Sequence, residues 1–68
     1  MTEKLPWKVI LDRWDGDDRL SPRPHWCDIN VGVQGDNWDC IRSQQPDKVV
    51  YCFCRESDAV IFALSWAA

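Results

Sequence analysis

Five tryptophans, Trp7, Trp14, Trp26, Trp38 and Trp66, sit in a chain of only 68 residues. No other feature limits the fold so tightly. An indole buries a large apolar area when enclosed, and a domain of this size encloses little. The chain must commit its interior to a few rings and leave the others partly in water, where exposed aromatics serve as anchors for partners. The length allows one domain, residues 1–68. With 46% hydrophobic and 28% charged residues, the composition is that of a folded protein rather than a disordered one.

A formal net charge of -3 and a pI near 4.8 argue against direct binding to nucleic acid, which needs cations for the phosphates. The opening MTEKLPWKVI lacks the long apolar core of a secretory signal. No run approaches the ~18 apolar residues of a membrane span. The expectation is a cytoplasmic protein with no membrane contact and reduced cysteines. It is a monomer or a weak homodimer, paired through the exposed edge of its first strand.

Hydrophobic alternation predicts a first strand over Trp7 to Trp14, with Trp7, Val9 and Leu11 on one face and Ile10 and Trp14 on the other. Asp15-Gly16-Asp17-Asp18 then breaks the pattern. Pro22 and Pro24 predict an extended loop from Arg19 to His25. A second strand follows over Trp26 to Gln34, with Cys27, Ile29, Val31 and Val33 on one face, and Gly35-Asp36 reads as a hairpin turn. Counting outward, Val33 faces Trp38 and Val31 faces Cys40. A further turn at Gln44 to Asp47 leads into a strand from Lys48 to Arg55, in which Trp38 faces Phe53, Cys40 faces Tyr51 and Arg42 faces Val49. The period changes after Ser57. Ala59, Phe62, Ala63 and Trp66 recur at helical spacing, so a helix is expected from about Asp58 to Leu64, capped by Ser57. The fold class is α+β: a small antiparallel sheet of three to four strands packed against one C-terminal helix.

Three sets of residues carry possible chemistry. His25, Cys27, Cys40, Cys52 and Cys54 would supply enough ligands for a zinc-stabilised structural module. Cys52 and Cys54 lie within a strand, however, on the face opposite Cys27 and Cys40, so four ligands do not converge. No metal and no cofactor are expected, and the cysteines read as small buried hydrophobes. A cysteine-based enzyme would need His25 to activate Cys27 beside an oxyanion site and a cleft, for which 68 residues give little depth. The third set is acidic. Asp12, Asp15, Asp17 and Asp18 fall within seven positions, and Trp14 stands among them. An EF-hand loop is excluded, because Trp14 occupies a ligand position and no Glu closes the loop.

WKVILDRW at the start and ESDAVIFALSW at the end resemble short, mostly uncharacterised reading frames of phages and prophages. Asp58, Ala59, Val60, Phe62, Leu64 and Trp66 match their closing Asp-Ala-Val-x-Phe-x-Leu-x-Trp pattern. The resemblance covers about a quarter of the chain. The middle departs from it, with two prolines where a helix is expected. It implies a small α/β protein of a mobile element and assigns no activity. Phage proteins of this size and acidity are similar in general character to anti-defence inhibitors, including anti-CRISPR proteins.

The expected function is therefore non-enzymatic: a phage-encoded acidic protein that inhibits a nucleic-acid-handling complex of its bacterial host by covering a basic surface. Asp12, Asp15, Asp17 and Asp18 would meet Lys or Arg of the protein partner. Trp14 and Trp26 would supply the desolvated anchors.

Overall fold

In the computed structural model, which describes residues 4–14 and 21–67, strands β2 (Trp38–Arg42) and β3 (Lys48–Phe53) form an antiparallel hairpin in the predicted register. Trp38 pairs with Phe53, Cys40 with Tyr51 and Arg42 with Val49. The first strand, β1 (Trp7–Asp12), is shorter than its hydrophobic pattern and stops two residues before Trp14. It adds to the free side of β3, with Trp7 opposite Phe53 and Leu11 opposite Val49, so the sheet order is β1-β3-β2. Because both neighbours run antiparallel to β3, β1 and β2 are parallel to each other, one strand apart.

The segment joining them corrects the sequence reading. Pro22–Asn30 is a helix, α1, where a proline-bearing loop and the start of a Trp26–Gln34 strand were expected. The prolines occupy the first and third positions of the helix. An amide there has no intrahelical acceptor, so its absence is harmless, and the fixed φ of proline suits the first turn. Ser21 is the N-cap, its hydroxyl accepting from the Arg23 amide at 3.3 Å. As a helix, the segment sends Cys27 into the core and Trp26 against it, while Ile29 stays exposed. The expected pairings of Val33 with Trp38 and Val31 with Cys40 do not form.

Gly35-Asp36 is accordingly not a hairpin turn. Residues 33–37 fold back as a tight loop in which Asp36 and Asn37 donate to the Val33 carbonyl at 3.1 and 2.9 Å. Gly32 takes φ +147°, and a Cβ there would run into the Asn37 side chain, so this position needs glycine. The loop also serves the core: Trp38 Nε1 donates to the Gly32 carbonyl at 2.9 Å. This hydrogen bond lets the indole be fully enclosed without leaving a polar atom unsatisfied.

The C-terminal helix α2 spans Glu56–Trp66 and starts two residues earlier than expected. Arg55, not Ser57, holds the N-cap position and makes no side-chain cap bond. Glu56 and Asp58 in the first turn favour the positive helix end instead. Both helices lie on the face of the sheet that carries Trp38, Val49, Tyr51 and Phe53. Phe62 of α2 sits at the centre, with ring centroids 4.6 Å from Tyr51, 5.1 Å from Phe53 and 5.7 Å from Trp26. Each enclosed side chain of this size contributes about 1.5–3 kcal/mol by burial alone. Among the described residues, the other face of the sheet bears no helix.

Candidate docking surfaces

The residues expected to meet a partner fall in different settings. Asp15, Asp17 and Asp18 lie outside the described residues. Asp12 ends β1 and is highly exposed, with its carboxylate paired to Lys48 on the adjacent strand. The Lys48 ammonium holds the Asp12 carboxyl below the usual carboxylate range. Trp14 is 38% exposed. Its ring meets the edge of Trp66 at 6.2 Å and 85°, and the Arg23 guanidinium lies 5.2 Å from its centroid. Trp26 is half-buried against Phe62. The two tryptophans thus pack on successive turns of α2, through Phe62 and Trp66, and contribute to holding the fold together.

Arg23 is the functional-looking residue that the sequence did not reveal. It is almost fully buried, and its Nη1 donates to the Asp12 carbonyl at 2.9 Å. Its guanidinium lies 5.2 and 6.0 Å from the Trp14 and Trp66 ring centroids, within reach of cation–π attraction. The side chain therefore ties the end of β1, the start of α1 and the end of α2. A shallow cleft of about 260 Å³ opens beside it, lined by Leu11, Asp12, Arg23, Lys48 and Trp66 among others. Nothing in its sequence neighbours marked Arg23, since its partners lie nine and eleven residues upstream and at the far end of the chain.

The Cys27 thiol, the one that His25 was to activate, is not set up as a nucleophile. Cys27 is fully enclosed, and burial, followed by the nearby Asp28 carboxylate, pushes its thiol up to about 12. That is the reverse of an activated nucleophile. His25 is exposed on α1 two positions before Cys27, a spacing whose side chains do not share a helix face. Cys40 lies beside the core, Cys52 is buried in the face opposite, and Cys54 is exposed. Among the described residues, no three His, Cys, Asp or Glu side chains gather as a metal site.

What the fold leaves open is apolar. On α2, Ala59 and Phe62 are buried, while Val60, Ile61 and Leu64 are 50, 52 and 70% exposed. Residues at spacings of three and four share a helix face, so Val60, Ile61 and Leu64 make one outward stripe. It begins beside Glu56 and Asp58 and runs toward the Trp14–Trp66 contact. The opposite face of the sheet, which bears no helix among the described residues, carries a second apolar strip, Ile10, Val50 and Ile41, side by side across the three strands. No helix of the described residues is long and apolar enough to cross a membrane. The chain matches no family model, and neither a curated protein nor a solved structure matches it.

Proposed function

We propose that this chain is a non-enzymatic binding protein that docks on a basic surface of a protein partner, with α2 as its apolar contact. The observation that carries this reading is the outward stripe of Val60, Ile61 and Leu64 on a helix whose inner side is already committed to the core. A small domain gains nothing for its own stability from such exposure, and contiguous exposed apolar residues mark interaction sites. Acidic groups border the stripe at Glu56 and Asp58. Asp12 ends β1, and Trp14, two residues on, packs on the far end of α2; Asp15, Asp17 and Asp18 follow in the sequence. The matching partner has an apolar centre rimmed by Lys and Arg. Carboxylates then orient and speed the encounter, and the stripe supplies the desolvated contact that holds it.

Where such a basic surface handles nucleic acid, occupying it blocks that activity. This is the more specific form of the proposal, a phage-encoded inhibitor of the anti-CRISPR type acting in the bacterial cytoplasm. It rests on charge and on the resemblance at the two ends of the chain. The test is capture from bacterial lysate on the immobilised protein, with elution by rising salt. The parent is expected to retain a basic protein that Leu64→Glu and the pair Asp15→Lys, Asp17→Lys both lose. Identical capture by all three proteins refutes the reading.

A further inference from the structure

The exposed row on α2 carries a charge pattern that narrows what can lie against it. Carboxylates elsewhere are engaged within the chain: Asp12 holds Lys48, Asp36 holds Lys4, and Asp39 accepts from Gln34 Nε2 and the Cys40 amide. Glu56 and Asp58 hold no cation and no hydrogen-bond donor among the described residues. With Arg55 at the N-cap, the head of α2 is one charge negative, and from Ala59 to Ala67 no residue is charged. Residues three and four apart share a helix face, so Glu56 stands one turn before Val60 and Asp58 one turn before Ile61. Ser57, Ile61 and Leu64, all exposed, form the crest between them.

We infer that the partner meets α2 with a helix of its own, an amphipathic one that runs antiparallel to α2 and whose apolar stripe ends in Lys or Arg at its C-terminus. This rests on the docking by α2 proposed above and names the element that performs it. A narrow apolar crest two turns long fits between the side-chain ridges of a second helix. An incoming strand has nothing to pair with there, because the backbone along the crest is bonded within α2. Orientation follows from charge. Cations are favoured at a helix C-terminus and carboxylates at an N-terminus, so the arrangement that brings the partner's cations to Glu56 and Asp58 also opposes the two helix dipoles. A second copy of α2 does not fit this role. Its last turn has no basic residue, and Lys48 beyond it is held by Asp12, so each acidic head would face a helix end without a cation.

The size of the crest sets the strength. Val60, Ile61 and Leu64 are each already half-covered or nearly so by the fold, and together they offer much less than the ~800 Å² per partner of a stable interface. A lone helix therefore binds α2 weakly, with a Kd of about 10–100 μM. The two carboxylates add little to that affinity at high salt and more at low salt. Their main effect is to choose which end of the incoming helix lies beside the head of α2.

Synthetic peptides of about fourteen residues, four helical turns, test this against the isotope-labelled full chain by NMR titration at low salt. One carries leucines at helical spacing and lysines in its last turn. A second has the lysines moved to its first turn, and a third has glutamates in their place. The first is expected to bind with a Kd of about 10–100 μM and to shift the amides of residues 56–64. The second should bind about threefold or more weakly, and the third not at all. Glu56→Gln with Asp58→Asn weakens the first peptide about fivefold and flattens its salt dependence. Leu64→Glu abolishes binding, with Leu64→Ala as the milder variant if circular dichroism shows that the first is unfolded. Asp28→Asn on α1 and Ile10→Asp on the opposite face of the sheet stay within about twofold. No binding up to about 1 mM overturns the inference. So do equal affinities for the lysine and glutamate peptides, indifference to the end that bears the lysines, or shifts centred on the sheet. Capture of a lysate protein through α2 without peptide binding removes this inference and leaves the proposed docking; peptide binding without such capture removes the docking alone.

Discussion

Two substitutions on α2, two positions apart, should behave as opposites. Phe62 is fully enclosed, with three aromatic neighbours at 4.6 to 5.7 Å. Phe62→Ala removes the ring that joins both helices to the sheet and leaves a cavity that the surrounding rings cannot fill without moving. Losses for such changes run about 3–5 kcal/mol. A domain of 68 residues holds about 3–10 kcal/mol in total, from roughly 0.05–0.15 kcal/mol per residue. The variant should thus lose between about a third and all of that stability, and at the low end of the range it is unfolded in water. Leu64 is 70% exposed, and Leu64→Ala should stay within about 0.5 kcal/mol of the parent. Urea titration followed by tryptophan fluorescence and far-UV circular dichroism reads both. With a slope of about 1 kcal/mol per molar urea, the midpoint falls by about 3–5 M for Phe62→Ala and by less than about 0.5 M for Leu64→Ala. Phe62→Leu, at about 1–2 kcal/mol, keeps a measurable native baseline if the alanine variant has none. Midpoints for Phe62→Ala and Leu64→Ala that agree within about 1 M would refute the placement of α2 on the sheet.

Three more outcomes follow from local structure. Ser21→Ala removes the hydroxyl that accepts from the Arg23 amide and should cost about 1 kcal/mol, whereas Ser57→Ala should cost almost nothing; equal urea midpoints for the two would refute the assignment of the α1 cap. The raised Cys27 thiol, at about 12 in the native protein, stabilises the fold fully below the unfolded thiol pKa of about 8.5. That contribution declines as pH rises toward about 12, because the unfolded chain ionises first. Cys27→Ala should therefore lose stability less steeply than the parent above pH of about 9, by up to 1.4 kcal/mol per pH unit, and parallel profiles would show that the thiol is not enclosed. In the same pH range, a thiol reagent should modify Cys54 first and Cys27 last.

The β2–β3 hairpin was legible because two independent signals agreed. The Gln44–Asp47 turn set the register, and that register placed Trp38 with Phe53 and Cys40 with Tyr51 on one side. The identity of α2 was also legible, since Ala59, Phe62, Ala63 and Trp66 keep helical spacing; each end lies two residues beyond the expected one, the start because Arg55 caps without a side-chain bond. The segment 22–34 misled for a physical reason. Cys27 faces the core from α1, Ile29 lies on its exposed face, and Val31 and Val33 follow in the loop, so their alternation is an accident; proline is tolerated in a first turn where it would break a later one. The partner strand of β1 was beyond reach of local patterning, because its pairing with β3 spans the whole of α1 and β2. Of the candidate site, the exposed carboxylate of Asp12 was readable. The engagement of Trp14 with Arg23 and Trp66 was not, since it joins three elements distant in sequence.

The position of β3 between two strands has a consequence for how the chain assembles. Strand β2 reaches it through a short turn, but β1 arrives from far upstream, with Asp12 pairing to a lysine 36 residues on. Closing the shorter loop costs less entropy, so the hairpin should form first and β1 should join it late. Until it does, one margin of β3 presents unpaired amides and carbonyls, and the first strand of any neighbouring molecule fits that margin as well as its own. Refolding at high concentration should then yield interlocked pairs by strand exchange, which persist on dilution long after a surface contact would have released.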